Sequence, residues 1–149
     1  DVKKLAEIMV KNLYLDEKDI PYTKSGKVLY EGALLRAVKL FQKVLDISPD
    51  DEQSEILYNV ANSYFFLQMY PETIEWCEKI IRNYPDDQIE ALHLTACSYY
   101  NMLDIDLCLK YLALIWHKSN NRFEDEYLND KRFKYMFANI THLIKKDGL

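Results

Sequence analysis

Three features of the 149-residue chain predict an all-helical fold. Glycine and proline are scarce, at three and four residues, so few turns interrupt long regular elements. Apolar residues recur at three and four positions along the extended segments, and strand-like alternation is absent. A unit of helix, turn, helix and stop returns at about 34 residues, which is a repeat signal.

The elements follow in order. Val2, Leu5, Ile8, Met9 and Leu13 make an amphipathic stripe that ends near Asp16, and Pro21 then breaks the path. From Ser25 to Ile47 the apolar set Val28, Leu29, Leu34, Ala37, Val38, Phe41, Val44 and Leu45 is again helical, with a turn expected at Gly32. The stop is ISPDD, Ile47 to Asp51. A helix from Ser54 to about Gln68 comes next. Pro71 suits the first turn of the following helix, whose body is Glu72 to Arg82 and whose stop is NYPDD, Asn83 to Asp87. A proline followed by two aspartates thus closes a helix at Pro49 and again at Pro85, thirty-six residues on. The cycle then repeats, with a helix from Ile89 to about Met102, a polar turn at Asp104, a helix from Asp106 to His117 and a stop at Ser119 to Asn121. A last stripe, Leu128, Phe133, Met136, Phe137, Ile140, Leu143 and Ile144, predicts a C-terminal helix over about 126–146.

Composition narrows the function classes. With 49% hydrophobic residues the chain can build a core, and a domain of this length buries roughly 70% of its unfolded surface. One domain over residues 1–149 is expected. Net charge is −5, from 19 basic and 24 acidic residues, which offers no attraction to nucleic acid or to an anionic membrane. No run of about 18 apolar residues marks a membrane span, and no signal peptide is visible. The three cysteines, Cys77, Cys97 and Cys108, are odd in number and lack a C-x-x-C spacing. They suit a reducing compartment, so a cytoplasmic setting is expected. The first residue, Asp1 rather than Met, is what a segment of a longer chain would show.

Within Ser54 to Asp87, the first helix carries a large apolar residue, an apolar–small pair and an aromatic: Leu57, Val60-Ala61 and Tyr64. The second carries an aromatic before its start, a small residue one turn in and a closing proline: Tyr70, Thr73 and Pro85. In these positions the segment resembles the tetratricopeptide repeat. The next unit, about 89–122, keeps Leu92, Thr95-Ala96 and Tyr99 in frame, but Cys108 holds the second small position and Asn120 replaces the proline. The preceding unit, about 18–51, is degenerate and matches through Gly32, Ala37, Phe41, Val44 and Pro49. The resemblance implies a right-handed array of about three helical hairpins, with N- and C-terminal capping helices. The small residues have a physical reason. Helices approach closely only where side chains are short, as at Ala37, Ala61 and Ala96, and larger neighbours fill the gaps.

Adjacent aromatics occur twice, as Tyr64-Phe65-Phe66 and Tyr99-Tyr100. Successive helical residues point about 100° apart, so Tyr64, Phe65 and Phe66 cannot all face the same way. In the repeat frame Tyr64 and Tyr99 pack between helices. Phe65 and Phe66 then fall on the face that the resemblance assigns to a concave groove, with Glu55, Tyr58, Asn59 and Asn62. Glu90, His93, Cys97, Tyr100 and Asn101 are the matching set in the next unit. The implied function is a protein-interaction module, a scaffold or adaptor, that binds an apolar, neutral-to-basic partner peptide or helix. A terminal helix covering the same face is the other arrangement open to this sequence. Some relatives in that family clamp a chaperone's C-terminal carboxylate with basic residues. Here Glu90 and Leu94 stand at such positions, and Glu55 and Glu90 would repel a carboxylate.

Other functions leave weaker marks. Class II secretion chaperones are similar in size, acidity and repeat number, which makes a small dedicated chaperone the alternative. Glu90, His93 and Cys97 lie on one helical face and could in principle ligate a metal, but no fourth ligand is evident. A Cys97–His93 nucleophile pair lacks an orienting third residue. Cys77 and Cys108 fall at packing positions and read as small core residues. No phosphate loop, zinc-protease or serine-hydrolase motif occurs, and Glu124-Asp125-Glu126 lacks the spacing of a calcium loop. The expectation is a non-enzymatic chain without a cofactor.

Overall fold

The computed structural model describes Lys4 and residues 24–50 and 53–119. Among the described residues the regular structure is entirely helical. The helices are α1 (Lys24–Ile47), α2 (Gln53–Phe66), α3 (Tyr70–Asn83), α4 (Gln88–Asn101) and α5 (Ile105–Lys118), with a short 3-10 turn at Pro85–Asp87. None of the described helices is long and apolar enough to cross a membrane. The expected N-terminal helix, Pro21, Asn120, Glu124 to Glu126 and the C-terminal helix over about 126–146 lie outside the described residues.

The helix spans agree with the periodicity to within two residues at most ends, except in the N-terminal unit. There the expected turn at Gly32 does not form, and α1 runs through it unbroken. An interior glycine costs a helix only about 1 kcal/mol. The stripe Leu34, Ala37, Val38, Phe41 and Val44 is buried and outweighs that cost. A methyl group at Gly32 would meet only Arg36, at an ordinary 3.6 Å. Gly32→Ala is therefore expected to raise stability by about 0.5–1 kcal/mol in urea unfolding.

Contacts divide the chain into two compact units, separated in sequence between Trp76 and Cys77. In the first, α1 packs on α2. Its core is Ala37, Val38, Phe41 and Val44 of α1 with Ile56 and Val60 of α2, and Leu40, Leu45, Tyr64 and Trp76 pack against it half-buried. Pro49 biases Ser48 away from helical backbone and so ends α1. The Ser48 hydroxyl donates back to the Val44 carbonyl at 2.7 Å. In the second unit α4 packs on α5. Ala91, Leu92, Ala96, Cys108, Leu112 and Ile115 are fully or almost fully buried there, with Cys77 and Ile80 of α3. The small residues Ala37, Ala61 and Ala96 are all inaccessible to solvent, as close helix packing requires.

The two inter-helix turns are built alike. From Gln53 to Gln88 and from Tyr70 to Ile105 the helix starts recur after thirty-five residues, and all four helices are 14 residues long. After α2, Gln68 N–H donates to Phe65 O at 2.9 Å and Met69 N–H to Tyr64 O at 2.9 Å. After α4, Leu103 N–H donates to Tyr100 O at 3.0 Å and Asp104 N–H to Tyr99 O at 2.9 Å. Both are Schellman motifs, which satisfy the last helical carbonyls with a left-handed residue just past the helix. That residue is Gln68 at φ 60° and Leu103 at φ 63°. Glycine enters this region without strain, whereas a leucine pays about 1–2 kcal/mol. Leu103→Gly is expected to raise the urea midpoint by an amount equivalent to about 1 kcal/mol, and a fall of that size would show the turn to be misassigned.

A second repeated device secures the helix ends. The Gln53 amide donates to the carbonyls of Leu45 (3.2 Å) and Ser48 (2.9 Å), and the Gln88 amide donates to the Ile81 carbonyl at 2.5 Å. In each case the side-chain amide of the first residue of one helix donates to carbonyls at or just past the end of the preceding helix. The Gln88 Oε1 atom is buried with no hydrogen-bond partner among the described residues.

Candidate functional site

The residues singled out in the sequence fall on α2 and α4, at positions thirty-five residues apart. Glu55 matches Glu90, Tyr58 matches His93, Asn62 matches Cys97 and Phe65 matches Tyr100. Each helix therefore repeats one register: a glutamate in the first turn, a ring one turn on, and an aromatic near the C-terminal end. Helical geometry brings positions i, i+3, i+7 and i+10 to one side.

In the first unit, Glu55 is exposed, while Tyr58, Asn59, Asn62, Phe65 and Phe66 are half-buried. Phe65 sits between two rings. Its centroid is 6.2 Å from that of Phe66, nearly perpendicular at 87°, and 5.5 Å from that of Tyr70 at 66°. Edge-to-face contacts of this kind are favourable and hold the ring in place. The Asn59 carbonyl accepts the buried Ser63 hydroxyl at 2.7 Å. Tyr64 lies against the α1–α2 core, half-buried rather than enclosed.

In the second unit, Glu90 is exposed, and His93 and Tyr100 are half-buried. Cys97 is only 1% exposed, so it is a core residue and offers almost no surface to a partner. This corrects the sequence expectation for that position. The reason is the breadth of the buried face of α4: Leu94, Thr95, Ala96, Cys97 and Ser98 are all buried in succession. The Cys97 sulfur lies 3.7 Å from His93 Nε2, and its carbonyl accepts from the Asn101 amide at 3.0 Å. Among the described residues no three His, Cys, Asp or Glu side chains come together as a metal site, so Glu90 does not complete a ligand set with this pair. Cys77 and Cys108 are fully buried, as their positions in the repeat suggested.

Titration reflects the same packing. Burial pushes the Cys77 thiol up to about 12, against a smaller opposing effect of its hydrogen bond with Thr95. Burial also raises the Tyr99 phenol, and Tyr111, Asp104 and Glu78 add to the effect. Tyr111 is raised by burial first and then by Glu78. The Tyr99 and Tyr111 rings stack at 5.5 Å and 24°. Tyr99 was expected in the core; it is half-buried and shares its covering with Tyr111.

The repeated turn, with its left-handed Gln68 and Leu103, and the paired glutamines Gln53 and Gln88 were not foreseen. Their signal was present. Aligning the sequence on itself at thirty-five residues places Ser63 on Ser98, Tyr64 on Tyr99, Gln53 on Gln88 and Gln68 on Leu103. Neither glycine nor asparagine marks the left-handed positions, so residue type alone conceals them.

No protein-family model matches this chain, no curated protein is significantly similar to it, and no solved structure matches it.

Proposed function

We propose that this chain is a tetratricopeptide-like repeat domain that acts as a protein-interaction module. Its hairpins form a right-handed array closed by terminal capping helices, and a partner peptide or helix binds in the concave groove. The observation that carries this reading is the recurrence, at thirty-five residues, of helix length, Schellman turn and glutamine end-cap together. A repeated helix–turn–helix unit buries its apolar face by stacking on its neighbours, and such stacks expose long curved surfaces. Tyr58, Phe65, Phe66, His93 and Tyr100 supply ring area on that surface, and Asn59 and Asn62 supply amides. Glu55 and Glu90, both exposed, favour a neutral-to-basic apolar ligand over an acidic one. The module assigns no catalytic role to any residue and needs no cofactor.

An array of amphipathic peptides graded from acidic to basic tests this directly. The full chain is expected to bind neutral and basic apolar peptides and to leave acidic ones. Phe65→Ala and Tyr100→Ala should each weaken binding by about 1–3 kcal/mol, while circular dichroism shows the helices intact. Equal binding by the double variant, or a preference for acidic peptides, would remove the groove as the working surface.

A further inference from the structure

Large apolar side chains gather in solvent at one place among the described residues, the turn between α4 and α5. Met102, Leu103 and Ile105 are 38%, 84% and 40% exposed. Leu35 and Ile47, the other large hydrophobics this open within residues 32–50 and 53–119, stand apart from each other on α1. The turn between α2 and α3 has the same backbone and hydrogen bonds but differs in surface. There Leu67 and Tyr70 are half-buried and the left-handed residue is the polar Gln68. Turn closure thus requires neither a leucine nor exposed apolar neighbours. Leu103 also occupies a backbone conformation that disfavours its side chain, and that side chain stands mostly in solvent.

Hydrogen bonds close the tip, and charged residues border it. The Schellman bonds at 3.0 and 2.9 Å fix its backbone, and the Asp104 carboxylate accepts from Leu107 N–H at 3.2 Å. An ordered tip loses little entropy on docking. Asp104 and the exposed Asp106 border the apolar residues, with Lys110 one turn further along α5. Glu78, on α3, is ion-paired with Arg82 and adds no free charge to this border.

We propose that the α4–α5 turn is a second docking surface, at which Met102, Leu103 and Ile105 enter an apolar pocket on a protein partner whose rim carries lysine or arginine. The acidic border of the tip complements such a rim and opposes an anionic lipid surface.

The test places a benzoylphenylalanine photo-crosslinker at Met102 in the full chain, irradiates it in source cells and sequences the cross-linked peptides. The expected adduct lies on another protein, in an apolar pocket edged by basic residues. Its yield should fall about tenfold or more in Leu103→Gln and in Asp106→Lys, as for other central contacts. It should persist in Phe65→Ala/Tyr100→Ala, which separates this surface from the groove. Circular dichroism confirms that each variant remains helical. An adduct to residues 120–149 of the same chain, to a second copy or to lipid overturns the proposal. So does binding of the chain to phosphatidylcholine–phosphatidylserine vesicles that is lost in Leu103→Gln. A yield indifferent to Leu103, or no adduct above an unirradiated control, overturns it as well.

Discussion

Phe41→Ala is expected to destabilise the protein by about 3–5 kcal/mol, the range for deleting a fully buried aromatic ring. Phe41 has no solvent exposure and sits in the middle of the α1–α2 core, between Ala37, Val38 and Val44 on its own helix and Ile56 and Val60 on α2. Truncation removes favourable burial and leaves a cavity that well-packed neighbours refill only in part. For a chain of this length the loss corresponds to a fall in Tm on the order of 10 °C. Phe41→Leu, which keeps most of the volume, should cost under about 1.5–2 kcal/mol. Urea unfolding of both variants checks the pair. A Phe41→Ala loss below about 1 kcal/mol would mean that the α1–α2 core is not the one described. Phe65→Ala provides the contrast. Phe65 is half-buried, so its truncation should cost less stability and act more on the proposed partner binding.

The second large effect is alkaline instability through Cys77. The folded protein holds this thiol neutral to about 12, because burial penalises the thiolate. In the unfolded chain it ionises near its ordinary value of about 8.5–9. Above that pH the unfolded state has released a proton that the folded state retains, so stability falls as pH rises. The contribution is fully present below about pH 9 and is lost progressively toward pH 12. At about 1.4 kcal/mol per pH unit, the loss reaches about 4 kcal/mol. Tyr99 and Tyr111 are shifted in the same direction and steepen the decline at its upper end. Cys77→Ala isolates the thiol. Its stability should be lower at neutral pH, through lost packing, but flatter between pH 9 and 11 than that of the wild type. Parallel pH curves for the two proteins would show that Cys77 ionises without unfolding.

Much of the helix map could be read from the chain because the signals are local. Helical periodicity, Pro49 and Pro85 as stops, and Pro71 in a first turn each act within a few residues, and α2 to α5 form close to where those signals put them. Gly32 misled because propensity is weak against tertiary burial: the stripe from Leu34 to Val44 keeps α1 continuous. The candidate site was legible as a register but not as a surface. Periodicity places Glu55, Tyr58, Asn62 and Phe65 on one side of a helix and their counterparts on another.

Chain chemistry alone thus sets where helices start and stop, their repeat length, and which small residues permit close packing at Ala37, Ala61 and Ala96. Folding in three dimensions settles what each position exposes. Cys97 and Asn62 share a register, yet one is buried and the other half-open, because the buried face of α4 extends across Cys97. Gln68 and Leu103 adopt left-handed backbone for a reason invisible in their side chains. The closing hydrogen bonds of each turn need a left-handed residue just past the helix.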